Sequence, residues 1–397
     1  MRILKQSTEL RSLFQKRKIA SSKLKWGVCT MSFVEQELMR FINEIIVPNV
    51  DTYELQEAIP LDVIRAMGDR GLLCPLIPKN YGGVEYDLQT IGRINEKIGQ
   101  ASASVRSVLT VQGMVSLAIL KFGTEAQKEK WLPKLVSGKV VGGFALAEEE
   151  AGCDSSNLST TYTEVDEEYE LVGKKTWVTM GQVASLFLVF ARSGEEYSAF
   201  LVEKDRIGLQ VEDVTGMLGL RASMVANVTL DNVRLPKESL LGRLGSALRF
   251  IVPTCLDYGR YTVACGCVGL SQACIDVCYS YVEKRKQFGT KLKDFQMIQR
   301  MLAKMVTQTK ASRLLCQNAA KLKEEEDFGA ITDTCVAKYY ASTSVNEVAS
   351  MAVQILGANG CLNEHPVERY FRDAKLFEII EGSTQILEIM IANNYLG

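Results

Sequence analysis

The sequence predicts an α+β chain in which strands occupy the middle and helices lie on both sides. Three observations carry this prediction. Apolar residues recur at three- and four-residue spacing from Ser32 to about Lys139. Short β-branched and aromatic runs, separated by turn residues, fill Val140 to about Arg243. The helical period then returns after Pro253 and runs to the end. The expected division is a disordered leader or extension over 1–30, an N-terminal α-helical domain over 31–140, an antiparallel β-domain over 141–243 and a C-terminal α-helical domain over 244–397.

Each element has a local reason. "FVEQELMRFINEIIVPNV" is an amphipathic helix that stops at Pro48, and "IPLDVIRAMGDRGLLCPLIPKNYGG" is a helix that breaks at Gly71 and runs into a Pro/Gly loop. "ASVRSVLTVQGMVSLAILKFG" and "EAQKEKWLPKLVSG" continue the helical region. "EYELVGKKTWVTMG", "VASLFLVFARSG", "YSAFLVEK" and "VANVTLDNVRL" read as strands. In "YTVACGCVGLSQACIDVCYSYVEKRKQFG" the many small residues let neighbouring helices approach closely.

Composition narrows the partners. A formal net charge of −1 gives no global pull toward nucleic acid or an anionic membrane. No apolar run is expected to reach the roughly 18 residues of a membrane span. The eleven cysteines are odd in number and scattered, which fits reduced thiols. Residues 1–30 are Lys/Arg- and Ser-rich with one acid, Glu9, and three readings stay open: an upstream-start leader, an ordered extension, or an organellar transit segment. The expected location is cytoplasmic, or the mitochondrial matrix if that segment is a transit peptide.

Several chemistries fall away. The single histidine, His365 in "NEHPVERY", leaves Ser-His-Asp and Cys-His machinery dependent on one residue, and no GxSxG elbow is present. Cys265 with Cys267, and Cys274 with Cys278, lack histidine partners and a second CxxC pair, so they read as small core residues. Neither a GxGxxG fingerprint nor a GxxxxGK[ST] loop occurs. What remains is Glu381 in "FEIIEGSTQILEIMIA", an acid between an apolar run and a glycine. Locally it also reads as a carboxylate near the positive N-terminus of the next helix. Burial of an acid costs stability unless it is paired or its perturbed pKa is used.

Taken together, eight segments in order resemble the acyl-CoA dehydrogenase family, from about Met31 to the C-terminus: "GLLCPLIPKNYGG", "FGTEAQKEKWLPKLVSG", "GGFALAEEEAGCD", "GKKTWVTMG", "LGLRASMVANVTLDNVRLP", "EKRKQFGTKLKDFQMIQRMLAKM", "QILGANG" and "ERYFRDAKLFEIIEGSTQI", with "LDYGR" resembling its short-chain branch. The resemblance implies an α-helical domain, a β-domain and a C-terminal four-helix bundle, with FAD at their junction. It makes Glu381 the catalytic base, because "IEG" stands where the family has "YEG". Relatives that carry the base on an earlier helix have it at the position of Gly259, where glycine cannot serve. The resemblance also implies substrate contacts from Cys153, Asp257, Arg260 and Gly382. For the cofactor it implies Leu146, Ala147 and Cys153 in one loop, Trp177, Val178 and Thr179 beside the isoalloxazine, Gln354, Leu356 and Gly357 in "QILG", and Ser383 and Gln385. Arg285, Phe288 and Gln296 match positions that reach FAD from a neighbouring subunit, so a homotetramer or homodimer is implied.

Departures from the family pattern cluster at the substrate loop. "TEPGAGSD" reads "AEEEAGCD", so Ala147 drops a hydroxyl, Glu149 and Glu150 replace Pro-Gly, and Cys153 replaces serine; Ser383 replaces threonine, and "WVTMGQ" lacks Asn-Gly. The leading expectation is an FAD-dependent acyl-thioester α,β-dehydrogenase acting on acyl-CoA, with electron-transfer flavoprotein or O₂ as acceptor. Open beside it are a dehydrogenase or oxidase of acyl or aminoacyl groups on a carrier protein, a flavin monooxygenase of the same fold, and a non-catalytic flavin or carrier binder.

Overall fold

The computed structural model describes residues 33–396, so the readings of residues 1–30 lie outside the described residues. Helix α1 (Phe33–Phe41) supplies the described part of one compact unit, which ends at Arg40; its Arg40–Glu37 pair closes at 3.0 Å. Everything from Phe41 onward forms the second unit.

In that unit α2 (Val50–Gln56), α3 (Leu61–Asp69), α4 (Leu88–Ala101), α5 (Ala103–Phe122) and α6 (Glu125–Val136) come first. Ser102 separates α4 from α5 by leaving the helical region (φ −154°, ψ 119°), and its hydroxyl accepts from the Val105 N–H at 3.1 Å. A capping box opens α6: Thr124 Oγ1 accepts from Gln127 N–H at 3.2 Å, and Gln127 Oε1 accepts from Thr124 N–H at 3.0 Å.

The strands are β1 (Gly142–Ala145), β2 (Thr161–Val165), β3 (Glu168–Val178), β4 (Leu186–Ser193), β5 (Glu196–Glu203), β6 (Leu209–Asp213), β7 (Ala226–Pro236) and β8 (Leu240–Leu241). They form one sheet in the order β6-β7-β3-β2-β4-β5-β8, with β1 also on β4. The sheet is antiparallel as expected through β6-β7-β3-β2 and β4-β5-β8, with the exception that β1 and Thr161 at the start of β2 pair with β4 in parallel. Residues 146–185 supply the long crossover that a parallel neighbour requires. Tyr162, Tyr169, Phe187 and Phe200 fill the core of this sheet.

The chain then returns to helices: α7 (Val252–Lys284), a hairpin of β9 (Lys286–Gln287) and β10 (Thr290–Lys291), α8 (Gln296–Glu324), α9 (Ala330–Leu356), α10 (Val367–Phe377) and α11 (Thr384–Leu396). α7, α8 and α9 pack on one another, α11 packs on α9, and α4 and α5 cover α7. Small residues permit this closeness: a Cβ built on Gly99 of α4 would stand 2.9 Å from Gly266 Cα of α7. A second expectation needs correction. Ala103–Phe122 and Ala247–Lys284 are long and apolar enough to span a membrane, but 94% and 78% of their most apolar windows are buried inside the fold. An all-round apolar helix is what a core position selects.

Candidate active site

A cavity of about 340 Å³ opens between α5, α7, the end of β3, the loop 217–225 and the segment that follows α10. Its walls are mostly apolar, with Leu220, Val225, Val263 and Ile380 among them, and its polar residues besides the Trp177 indole are Arg106, Ser107, Thr110, Thr179, Ser223 and Glu381. Local features place each wall. The β3–β7 register shifts between Lys175 and Val178, and Trp177 takes φ +58° at that irregularity. Lys175 and Val178 therefore both face inward, while the Trp177 ring stays 61% exposed on the cavity side. The opposite loop is held by α10, where Asp373 Oδ1 accepts from Leu220 N–H at 2.7 Å and the Arg372 guanidinium donates to Leu218 O at 2.9 Å.

Glu381 sits in the turn between α10 and α11 with φ +56°, a left-handed conformation that a side chain makes costly. Its carboxylate Oε2 is sealed from solvent without a hydrogen-bond partner, although the residue as a whole keeps part of its surface open to the cavity. The carboxyl group lies in the space a side chain would need at Gly259 of α7: a Cβ built there would overlap Oε2 and stand 2.6 Å from Cδ. Burial pushes the Glu381 carboxyl up to about 7, and Arg260, Arg106 and Lys338 limit the rise. No described backbone hydrogen bond uses its N–H.

Two buried cations hold the turn. Arg260 Nε donates to Glu381 O at 3.2 Å, and Lys338 Nζ donates to Gly382 O at 2.7 Å. Burial draws the Lys338 ammonium down to about 8 despite the nearby Cys267 and Glu381. A third cation, Arg106, is 0% exposed; it donates to Thr110 Oγ1 at 2.7 Å and stacks on the Phe377 ring at 5.3 Å. Its Nε has no partner, and burial lowers the guanidinium to about 10.

The loop carrying Leu146, Ala147 and Cys153 is anchored by an ion pair at its root. Lys175 Nζ meets Glu148 Oε1 at 2.7 Å with both side chains almost wholly buried, and donates to Leu146 O at 3.3 Å. The Glu148 carboxylate also accepts from Ser159 N–H at 2.5 Å and Thr160 N–H at 3.1 Å. Burial pushes this carboxyl up, but Lys175 and the hydrogen bonds outweigh it and hold it at about 2. The same burial draws Lys175 down to about 8. The pair is therefore ionised with little left over on the lysine side.

The structure brings some expected residues together and leaves others apart. Trp177, Thr179 and Glu381 line one cavity, with buried Val178 beneath. Cys153 is exposed, with Sγ 3.7 Å from Ser383 Oγ, so those two loops meet. Arg260 turns to the Glu381 carbonyl and Cys335 Sγ rather than lining the cavity. Asp257 lies on another face of α7, paired with Lys323 beside a second cavity of about 380 Å³. Arg285, Phe288 and Gln296 are exposed around the β9–β10 hairpin, and Gln354 and Gly357 are exposed at the end of α9, where Leu356 is buried. Gln385 is exposed on α11. Sequence reasoning missed Arg106, Lys338 and the Glu148–Lys175 pair. The available signal was a lone cation inside an apolar run, "ASVRSVL" and "CVAKYYA".

Family models for the N-terminal, middle and C-terminal domains of acyl-CoA dehydrogenase match residues 32–139, 143–233 and 250–396. The chain is 34% identical over 377 residues to a glutaryl-CoA dehydrogenase of Desulfococcus multivorans, covering 92% of this chain and 96% of that one. It is 35% identical over 373 residues to the mitochondrial short-chain specific acyl-CoA dehydrogenase of Mus musculus, covering 92% and 90%. Among solved structures, a glutaryl-CoA dehydrogenase in complex with glutaryl-CoA superposes with a TM-score of 0.88 at 35% identity, covering 93% and 95%. A buried acid facing an apolar cavity agrees with these matches, and the three family models, which together span nearly the whole described length, identify this protein as a member of the acyl-CoA dehydrogenase family.

Proposed function

We propose that the cavity carries out FAD-dependent α,β-dehydrogenation of an acyl-CoA whose acyl chain ends in an anion, with Glu381 as the base. The observation that carries this reading is the Glu381 carboxyl: sealed, without a hydrogen-bond partner at Oε2, raised to about 7 and aimed into the cavity. Its basic form is present near neutral pH, and desolvation strengthens it against a weakly acidic α-carbon. The unused Glu381 N–H is available to the thioester carbonyl as negative charge develops there. The α-proton passes to Glu381, the β-hydride leaves the substrate, and a trans-2-enoyl thioester remains. A flavin monooxygenase needs no such base and leaves this acid without a task.

The residues fit FAD. The outward Trp177 ring and the apolar Leu220 and Val225 make a slot for a flat heterocycle, and Thr179 and Ser223 give it polar edges. When bound, FAD accepts the β-hydride. Arg285, Phe288 and Gln296 are presented at the surface of this chain, as a homodimer or homotetramer that completes a neighbour's cofactor site requires. Electrons leave through electron-transfer flavoprotein or O₂. The location, cytoplasm or mitochondrial matrix, rests with residues 1–30.

The anionic chain end follows from Arg106. Its guanidinium is 0% exposed, belongs to a residue that lines the cavity and makes no described ion pair, feeling among carboxyls only the field of Glu381, so a substrate carboxylate would give it a direct partner. Glutaryl-CoA, named for two of the matched proteins, supplies one. The test is turnover and product mass with glutaryl-CoA, butyryl-CoA and the same acyl groups on a carrier protein. Glutaryl-CoA should give the highest kcat/KM. Preference for butyryl-CoA overturns the anionic chain end, and turnover confined to the carrier-linked substrate moves the enzyme to that partner, because both carriers present the same phosphopantetheine arm.

A further inference from the structure

We infer that Lys338 is a positioning residue for the base: together with Arg260 it clamps consecutive carbonyl groups and so fixes the strained turn that aims the Glu381 carboxyl at the substrate. This rests on Glu381 being the base. Lys338 lies on α9, away from the cavity wall, and is 0% exposed. An ammonium in that setting needs a strong acceptor, and the hydrogen bond it makes is to Gly382 O at 2.7 Å. One residue earlier, Arg260 Nε holds Glu381 O at 3.2 Å. These two bonds fix the peptide planes on the C-terminal side of Glu381, where both residues lie in the left-handed region, at φ +56° and +95°. A non-glycine residue there relaxes unless its surroundings hold it. Relaxation would carry the carboxyl off its seat against Gly259, and misplacement of a base by about 1 Å costs on the order of 10²-fold in rate.

The ammonium also acts through its field. The charged and titratable groups facing Glu381 are Arg106 from α5, Arg260 and Cys255 from α7 and Lys338 from α9; those facing Lys338 are Cys267 and Arg260 from α7 and Glu378 and Glu381 from the turn. Removal of one cation of three leaves the carboxylate less favoured, so its protonation moves to higher pH.

The experiment uses the flavin-loaded full-length enzyme with Lys338→Met, Lys338→Arg and Glu381→Gln. Lys338→Met is expected to lower kcat by on the order of 10- to 10²-fold with KM within about 3-fold, and to move the acid limb of kcat/KM up by about one pH unit. Lys338→Arg should restore the limb and most of the rate. Parental kcat and acid limb in Lys338→Met overturn the inference, as does failure of both Lys338 variants to fold with flavin, which would make the residue a determinant of the fold. If Glu381→Gln still turns over, the base assignment fails first. If it is inactive while Lys338→Met matches the parent, only the clamp fails.

Discussion

Replacement of Glu381 by glutamine should make the fold more stable and the enzyme inactive, and the size of the first effect depends on pH in a way only a buried acid produces. The carboxyl moves from 4.5 in the unfolded chain to about 7 in the folded one. A folded-state pKa above the unfolded value means that the native protein holds the proton more tightly. Its stability is therefore complete below about pH 4.5 and declines as pH rises through 7. Linkage over that interval puts the loss at about 1 kcal/mol at pH 5 and about 3 kcal/mol at pH 8. Glutamine does not ionise, so the variant escapes the loss. Its amide adds an offset that does not vary with pH, so the quantity to read is the difference between the two pH values, about 2 kcal/mol. Urea unfolding of the flavin-free parent and variant, at pH 5 and pH 8, measures it from midpoints at constant slope. The same variant should lose at least ~10³-fold in kcat. An equal stability gain at both pH values would refute the burial argument, whatever happens to turnover.

Other residues give independent checks. Arg106→Met also removes a cation that favours the Glu381 carboxylate, so the acid limb should move up for every substrate; in steady-state assays above that limb, kcat/KM for glutaryl-CoA should fall by on the order of 10²-fold, the loss of a buried charge pair, while butyryl-CoA changes by less than about 3-fold. Gly259→Ala puts a methyl group where the Glu381 carboxyl lies, so kcat should fall by on the order of 10²-fold with flavin absorbance and melting temperature close to the parent. Lys175→Met leaves Glu148 buried without its cation, at a cost of about 3 kcal/mol or more in urea unfolding. In that variant the Glu148 carboxyl, now at about 2, should rise because burial is no longer opposed by Lys175, so the variant's deficit is largest near neutral pH and shrinks as pH falls and the buried carboxyl takes a proton. The parent kcat/KM should climb through an acid limb near pH 7, as the Glu381 carboxyl loses its proton.

The fold was legible where one physical signal acted alone. Periodicity marked the helices, and β-branched runs marked β3, β4, β5 and β7. The short strands β1, β2, β6 and β8 were not marked, because two to five residues carry no period and their pairing depends on distant partners. The parallel register of β1 on β4 is a property of the crossover and cannot be read from either strand. At the site, Glu381 stood out because its type and neighbours announced it, and the structure adds why it is basic: its carboxyl is sealed against Gly259 of α7, a glycine distant in sequence. Arg106 and Lys338 were hidden inside helices whose composition reads as core. A buried cation is recognisable only once its burial and its acceptor are known.

Gly259 and Glu381 share one volume, and this bears on how enzymes of this architecture exchange the location of their proton acceptor. An acid introduced at 259 would enter space already filled by the carboxyl from 381, and two like charges would crowd one dry pocket. Neither single change is passable: an added acid collides, and a removed one leaves no acceptor. A lineage moving the acid between the turn before α11 and position 259 of α7 must alter both positions together, or pass through a form too slow to be retained. The two arrangements are thus separated by a fitness valley that packing alone creates.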